Sequence, residues 1–97
     1  MVEVRTTASF DQWMDSLWDR RARARIQVRI DRLALGNAGD AQAVGEGVSE
    51  LRIDYGPGYR VYFIRRGRAL VILLCGGDKR SQAADILRAK RMAKETR

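Results

Sequence analysis

Ninety-seven residues, 45% apolar and 32% charged, suit one small folded domain spanning the chain and leave no room for a second. Nineteen Lys and Arg against twelve Asp and Glu give a formal charge of +7, which draws polyanions: nucleic acid first, then an acidic protein, then an anionic membrane. With no histidine and a single cysteine, Cys75, an internal disulfide, Cys/His zinc sites and histidine-based triads are excluded, so chemistry must come from Lys, Arg, Tyr or carboxylates.

The longest apolar run, Ala69 to Cys75, is strand-length and far below the roughly 20 residues of a membrane helix. Met1 to Arg5 lacks the basic start and apolar stretch of a signal peptide, so a cytoplasmic protein away from the membrane is expected.

Val2 to Thr6 alternates like a short strand. Thr7 or Ser9 then caps a helix with Phe10, Trp13, Met14, Leu17 and Trp18 on one stripe, which predicts both tryptophans in the core. Asp19 caps a second helix to about Leu35, closed by Gly36-Asn37, with Ala22, Ile26, Ile30 and Leu33 as its apolar stripe. Residues 36–47 hold four glycines and read as loop with at most one short extended piece.

From Val48 the period becomes two, with Leu51 and Ile53 opposed to Glu50, Arg52 and Asp54. Pro57 and Gly58 suit the centre of a type II turn. Tyr59 to Arg65 alternates again, Gly67-Arg68 closes a hairpin, and Ala69 to Cys75 reads as a central strand covered on both faces, with Cys75 as a buried small hydrophobe. Gly76-Gly77-Asp78 ends that strand, and Ser81 caps a last helix bearing Ala83, Ile86 and Leu87. Residues 92–97 read as a basic tail prone to fray. The expected fold is a small α+β domain, β-α-α-β-β-β-α, with a mainly antiparallel sheet and helices packed against it.

The charge is unevenly placed: residues 20–32 hold six arginines and one acid, and residues 33–64 four acids and two bases. Pairing of the strands from Val48 and Tyr59 puts Arg52, Arg60 and Tyr62 on one sheet face, with Lys79 and Arg80 at the exit of the last strand before a helix N-terminus. Such a cluster fits a phosphodiester better than a neutral substrate. The competing reading of the same residues is an ordinary solvated face with a Glu50 ion pair. Arg21, Arg25, Arg29 and Arg32 fall at i, i+4, i+8 and i+11, a second candidate contact for a polyanion. Gly76-Gly77-Asp78-Lys79 lacks the spacing of a phosphate-binding loop.

Glu50-Leu51-Arg52-Ile53, Gly56-Pro57-Gly58-Tyr59-Arg60-Val61-Tyr62-Phe63, Leu74-Cys75-Gly76-Gly77-Asp78-Lys79, then Gln82 and Asp85-Ile86 follow one another in a known order. The pattern resembles the RelE/ParE superfamily of type II toxins, closest to its Gp49-like, HigB-like addiction-module killer branch. That resemblance implies a RelE-like fold, a cognate antitoxin from the same operon in a hetero-oligomer, and one of two targets. RelE and HigB relatives cut mRNA in the ribosomal A site; ParE relatives inhibit DNA gyrase without cleaving RNA.

Carried over by position, the family's cationic site falls on Arg52, Arg60, Lys79 and Arg80. The expected chemistry is metal-independent attack of an RNA 2′-hydroxyl on the neighbouring phosphate, needing no cofactor, with Lys79 in proton transfer. The chain departs from RelE enzymes in having Ile86 where they carry a tyrosine on the last helix, leaving Tyr62 as the substitute phenol.

Overall fold

The computed structural model describes residues 1–96. Its elements are β1 (Glu3–Thr6), α1 (Ala8–Ser16), α2 (Arg20–Ala34), β2 (Ala41–Gly45), β3 (Val48–Ile53), β4 (Tyr59–Arg66), β5 (Leu70–Gly77) and α3 (Gln82–Glu95), with a 3-10 turn at Lys79–Ser81 leading into α3. One sheet runs in the order β1-β5-β4-β3-β2, with β1 parallel to β5 and every other pair antiparallel. The α+β architecture matches expectation, with one strand more. The glycine-rich stretch holds one short extended piece, β2, which supplies the extra strand: Gly45, Glu46 and Gly47 all take positive φ, and this tight turn folds β2 back onto β3.

The two helical layers lie on opposite faces. Phe10 of α1 and Ile26, Ile30 and Leu33 of α2 pack with Leu51, Ile53, Val61, Phe63, Val71 and Leu73. Ala89 of α3, flanked by Ile86 and Met92, packs with Val48, Tyr62, Ile64, Leu74 and Cys75. Each fully buried aliphatic side chain contributes roughly 1.5–3 kcal/mol relative to exposure. Because α3 covers the second face, the alternation read in β3 and β4 is not core against solvent. It is one core against another, and Glu50 and Tyr62 lie inside the second.

The α2 stripe and buried Cys75 are as the sequence indicated. Trp18 is not: α1 ends at Ser16, the chain turns extended at Leu17, and Trp18 is 90% exposed. A helical period cannot place a residue once the helix has stopped. Trp13 stays packed, edge-on to Tyr59 with ring centroids 6.2 Å apart.

Gly76 and Gly77 do not break β5; they are its last two residues, made small by close neighbours. A Cβ at Gly76 would lie 2.3 Å from the Trp13 ring, and one at Gly77 1.8 Å from an Asp85 carboxylate oxygen. The turn before β4 is shifted by one residue, since Gly58 N–H donates to the Tyr55 carbonyl, making Gly56 and Pro57 the central pair. Asp78, rather than Ser81, caps the turn into α3, accepting from the Arg80 and Ser81 amides. α3 continues to Glu95 through most of the basic C-terminal segment, whose last residue, Arg97, lies outside the described residues.

Candidate active site

Register brings the candidate cations together. Arg52 on β3 stands directly opposite Arg60 on β4, and Arg60 opposite Gly77 at the end of β5, where the chain turns into Lys79. The loop between β3 and β4 reaches the same place, with the Lys79 amide donating to the Pro57 carbonyl. The result is an open cleft of about 580 Å³ lined by Arg52, Arg60, Lys79, the Gly56-Pro57-Gly58 loop, Ile53, Asp40 and Asp54. Three cations face two carboxylates, so the cleft has a net positive lining.

Each cation is held differently. Arg52 is half-exposed and pairs with Asp40 at 2.9 Å, a contact that solvent screens. Arg60 is only 12% exposed on its side chain. Its Nη1 donates to the Gly58 and Tyr59 carbonyls, and its Nε is buried without a hydrogen bond, 3.8 Å from Glu50 Oε1. Lys79 is exposed at the first position of the 3-10 turn. Arg80 is exposed as well but does not line the cleft.

Tyr62 shares the sheet face with Arg60, as register required, yet lies wholly under α3 and donates to Glu50 Oε2 at 3.0 Å. Burial first, then the hydrogen bond to Glu50 and its charge, push the phenol far above its ordinary value. It cannot reach a ligand in the cleft or exchange a proton there. A residue placed from strand parity alone carries no information about which helix covers it.

Sequence reasoning gave Glu50 only as a surface ion-pair partner. At 2% exposure it is instead a buried carboxylate, accepting from Tyr62 and from Gln82 Nε2 at 2.8 Å. The sequence signal was Glu50 and Tyr62 at opposed positions of two strands. Asp40 and Asp54 were passed over because the intervening glycines hid β2 and the cleft rim.

The α2 arginines divide. Arg29 is a strap: Nη1 donates to the Arg52 carbonyl at 2.5 Å and Nη2 to the carbonyls of Ala38 and Asp40, both at 3.1 Å. Arg25 stacks on Tyr55, 4.7 Å from the ring centroid, and the Tyr55 hydroxyl donates to Asp19 at the α2 N-cap. Arg21 and Arg32 are exposed. Arg25, Arg29 and Arg32 line a groove of about 540 Å³ that shares Ile53 and Asp54 with the cleft, so the two adjoin. Among the described residues, no group of three or more Cys, Asp or Glu is placed to hold a metal ion, and no helix is long and apolar enough to cross a membrane.

The family described as phage-derived protein Gp49-like matches residues 12–96. The chain belongs to the Gp49-like family. A Haemophilus influenzae protein, described as uncharacterized, is 51% identical over 94 residues, covering 97% of this chain and 95% of that protein. The Gp49-like family is associated with toxin–antitoxin modules, and membership implies an antitoxin partner for this chain.

Proposed function

We propose that this Gp49-like chain is a type II toxin of the RelE/ParE superfamily that cleaves mRNA on the ribosome and so inhibits translation. The observation that carries the reading is the convergence of Arg52, Arg60 and Lys79 on one cleft, open enough for a nucleotide and adjoining an arginine-lined groove. A phosphodiester is the chemistry that matches two guanidinium groups and an ammonium.

In the proposed reaction the RNA 2′-oxygen bonds to the adjacent phosphorus and the bond to the 5′-oxygen breaks. The products are a 2′,3′-cyclic phosphate and a 5′-hydroxyl. Arg52 and Arg60 stabilise the charge that grows on the phosphorane, and removal of one such donor is expected to slow the step about 10²–10³-fold. Lys79 donates the proton that the leaving 5′-oxygen takes up. Asp54, the cleft carboxylate not paired with Arg52, accepts the proton of the 2′-hydroxyl. Both are exposed and solvated, so cleavage of free RNA is expected to be weak, with the ribosome supplying substrate orientation. Arg21, Arg25 and Arg32 extend the contact along α2, while Arg29 shapes the rim and Arg80 stands beyond it.

The test is induction in cells lacking the antitoxin. Incorporation of labelled methionine is expected to stop while gyrase continues to supercoil DNA. Continued incorporation with loss of supercoiling would overturn the proposal in favour of a gyrase-directed toxin of the ParE kind.

A further inference from the structure

Arg60 is backed by a carboxylate that lies outside the cleft. Glu50 is buried on β3, and its two oxygens face different ways. Oε2 accepts from the Tyr62 hydroxyl on β4 and from the Gln82 amide at the start of α3, at 3.0 and 2.8 Å. Oε1 faces Arg60 Nε at 3.8 Å, beyond hydrogen-bond reach, and that Nε has no other partner. With Nη1 tied to the Gly58 and Tyr59 carbonyls, Nη2 is the nitrogen left for a ligand in the cleft.

A buried ion pair held at this distance is a poor way to stabilise a fold, because desolvation of both charges is offset only by close, hydrogen-bonded geometry. It is a good way to keep a guanidinium aimed. We infer that Glu50 is a positioning residue for Arg60, anchored by Tyr62 and Gln82, and that it closes onto Arg60 Nε when a phosphate engages the outer edge of the guanidinium. The inference rests on the phosphodiester reading of the cleft. It also changes the part played by Tyr62, which acts through Glu50 rather than on substrate.

The experiment uses the full chain and its Glu50→Gln and Tyr62→Phe variants. Gln keeps the volume of Glu50 but removes the charge and can turn an N–H toward Arg60. The first readout is solvent exchange of the Arg60 Nε–H by NMR, with and without a 2′-deoxy RNA trinucleotide that cannot be cleaved. The second is the rate of mRNA cleavage on ribosomes, set against ribosome affinity. In Glu50→Gln the Nε–H is expected to exchange about 10-fold faster and to lose its protection by the trinucleotide. Cleavage is expected to fall roughly 10–100-fold with affinity little changed, the size typical of losing a group that orients a reacting one.

Tyr62→Phe should move both readouts the same way by less, and decides the matter alone if Glu50→Gln does not fold. Unchanged Nε–H exchange and unchanged cleavage per folded molecule would overturn the inference and leave Glu50 a structural residue. Exchange that shifts as expected in a chain that never cuts mRNA would support the positioning of Arg60 while overturning the nuclease reading.

Discussion

The Tyr62 hydroxyl donates to the Glu50 carboxylate at 3.0 Å, in a place that both strands and α3 close to solvent. Tyr62→Phe removes this donor and leaves a buried charge with one partner fewer. The expected cost is about 1–3 kcal/mol, read from urea unfolding. A change below about 0.5 kcal/mol, the range of ordinary surface substitutions, would contradict it.

Alkaline stability follows from the same core. Burial pushes the Cys75 thiol up to about 11 from its ordinary 9.0, and Tyr62 is raised further. A group whose folded value is raised binds more protons in the folded state. Its contribution is therefore complete below the unfolded value and lost as pH rises. Unfolding midpoints should fall between pH 9 and 11, first through Cys75 and then, above pH 10, through Tyr62. Cys75→Ala is expected to flatten the pH 9–10 part of the profile; an unchanged slope in that variant would contradict the assignment.

The glycine pair ending β5 offers a comparison between neighbours. A Cβ at Gly76 strikes the packed Trp13 ring at 2.3–2.4 Å, whereas one at Gly77 meets the end of the Asp85 side chain. Gly76→Ala should cost about 1–3 kcal/mol or more by overpacking. Gly77→Ala should be relieved by adding Asp85→Ala, a coupling that a double-mutant cycle measures. Additive effects of the latter two would contradict the contact.

Arg29 and Arg52 meet at one backbone carbonyl but differ in what their loss exposes. Arg29→Ala strips the carbonyls of Arg52 and Ala38 of their donor, while that of Asp40 still accepts from the Arg52 amide, and is expected to cost about 1–3 kcal/mol. Arg52→Ala removes only a half-exposed pair with Asp40, worth about 0.2–1 kcal/mol, while sharply reducing RNA cleavage. Urea midpoints in the reverse order would contradict the strap.

Much of the fold was legible because periodicity is a local signal. The α2 stripe, the two-residue alternation from Val48 and the apolar β5 each follow from burial on a regular element. What escaped depends on contacts distant in sequence. Trp18 belongs to the helical spacing but not to the helix; Gly76 and Gly77 are small because Trp13 and Asp85 arrive from other elements. The site divides the same way. Arg52, Arg60 and Lys79 could be brought together by register, while Tyr62 and Glu50 were placed on the correct face without the helix that covers it. Arg29 looked like one of four surface arginines until the Ala38–Asp40 loop closed over its guanidinium.

The central claim is tested most directly by primer extension on a reporter mRNA in a reconstituted translation system, with the wild-type chain and with Arg60→Ala. The account predicts cuts within A-site codons, reduced about 10²–10³-fold by the substitution, with a 5′-hydroxyl on the downstream fragment. Intact mRNA with translation proceeding, or cleavage undiminished in Arg60→Ala, would contradict it.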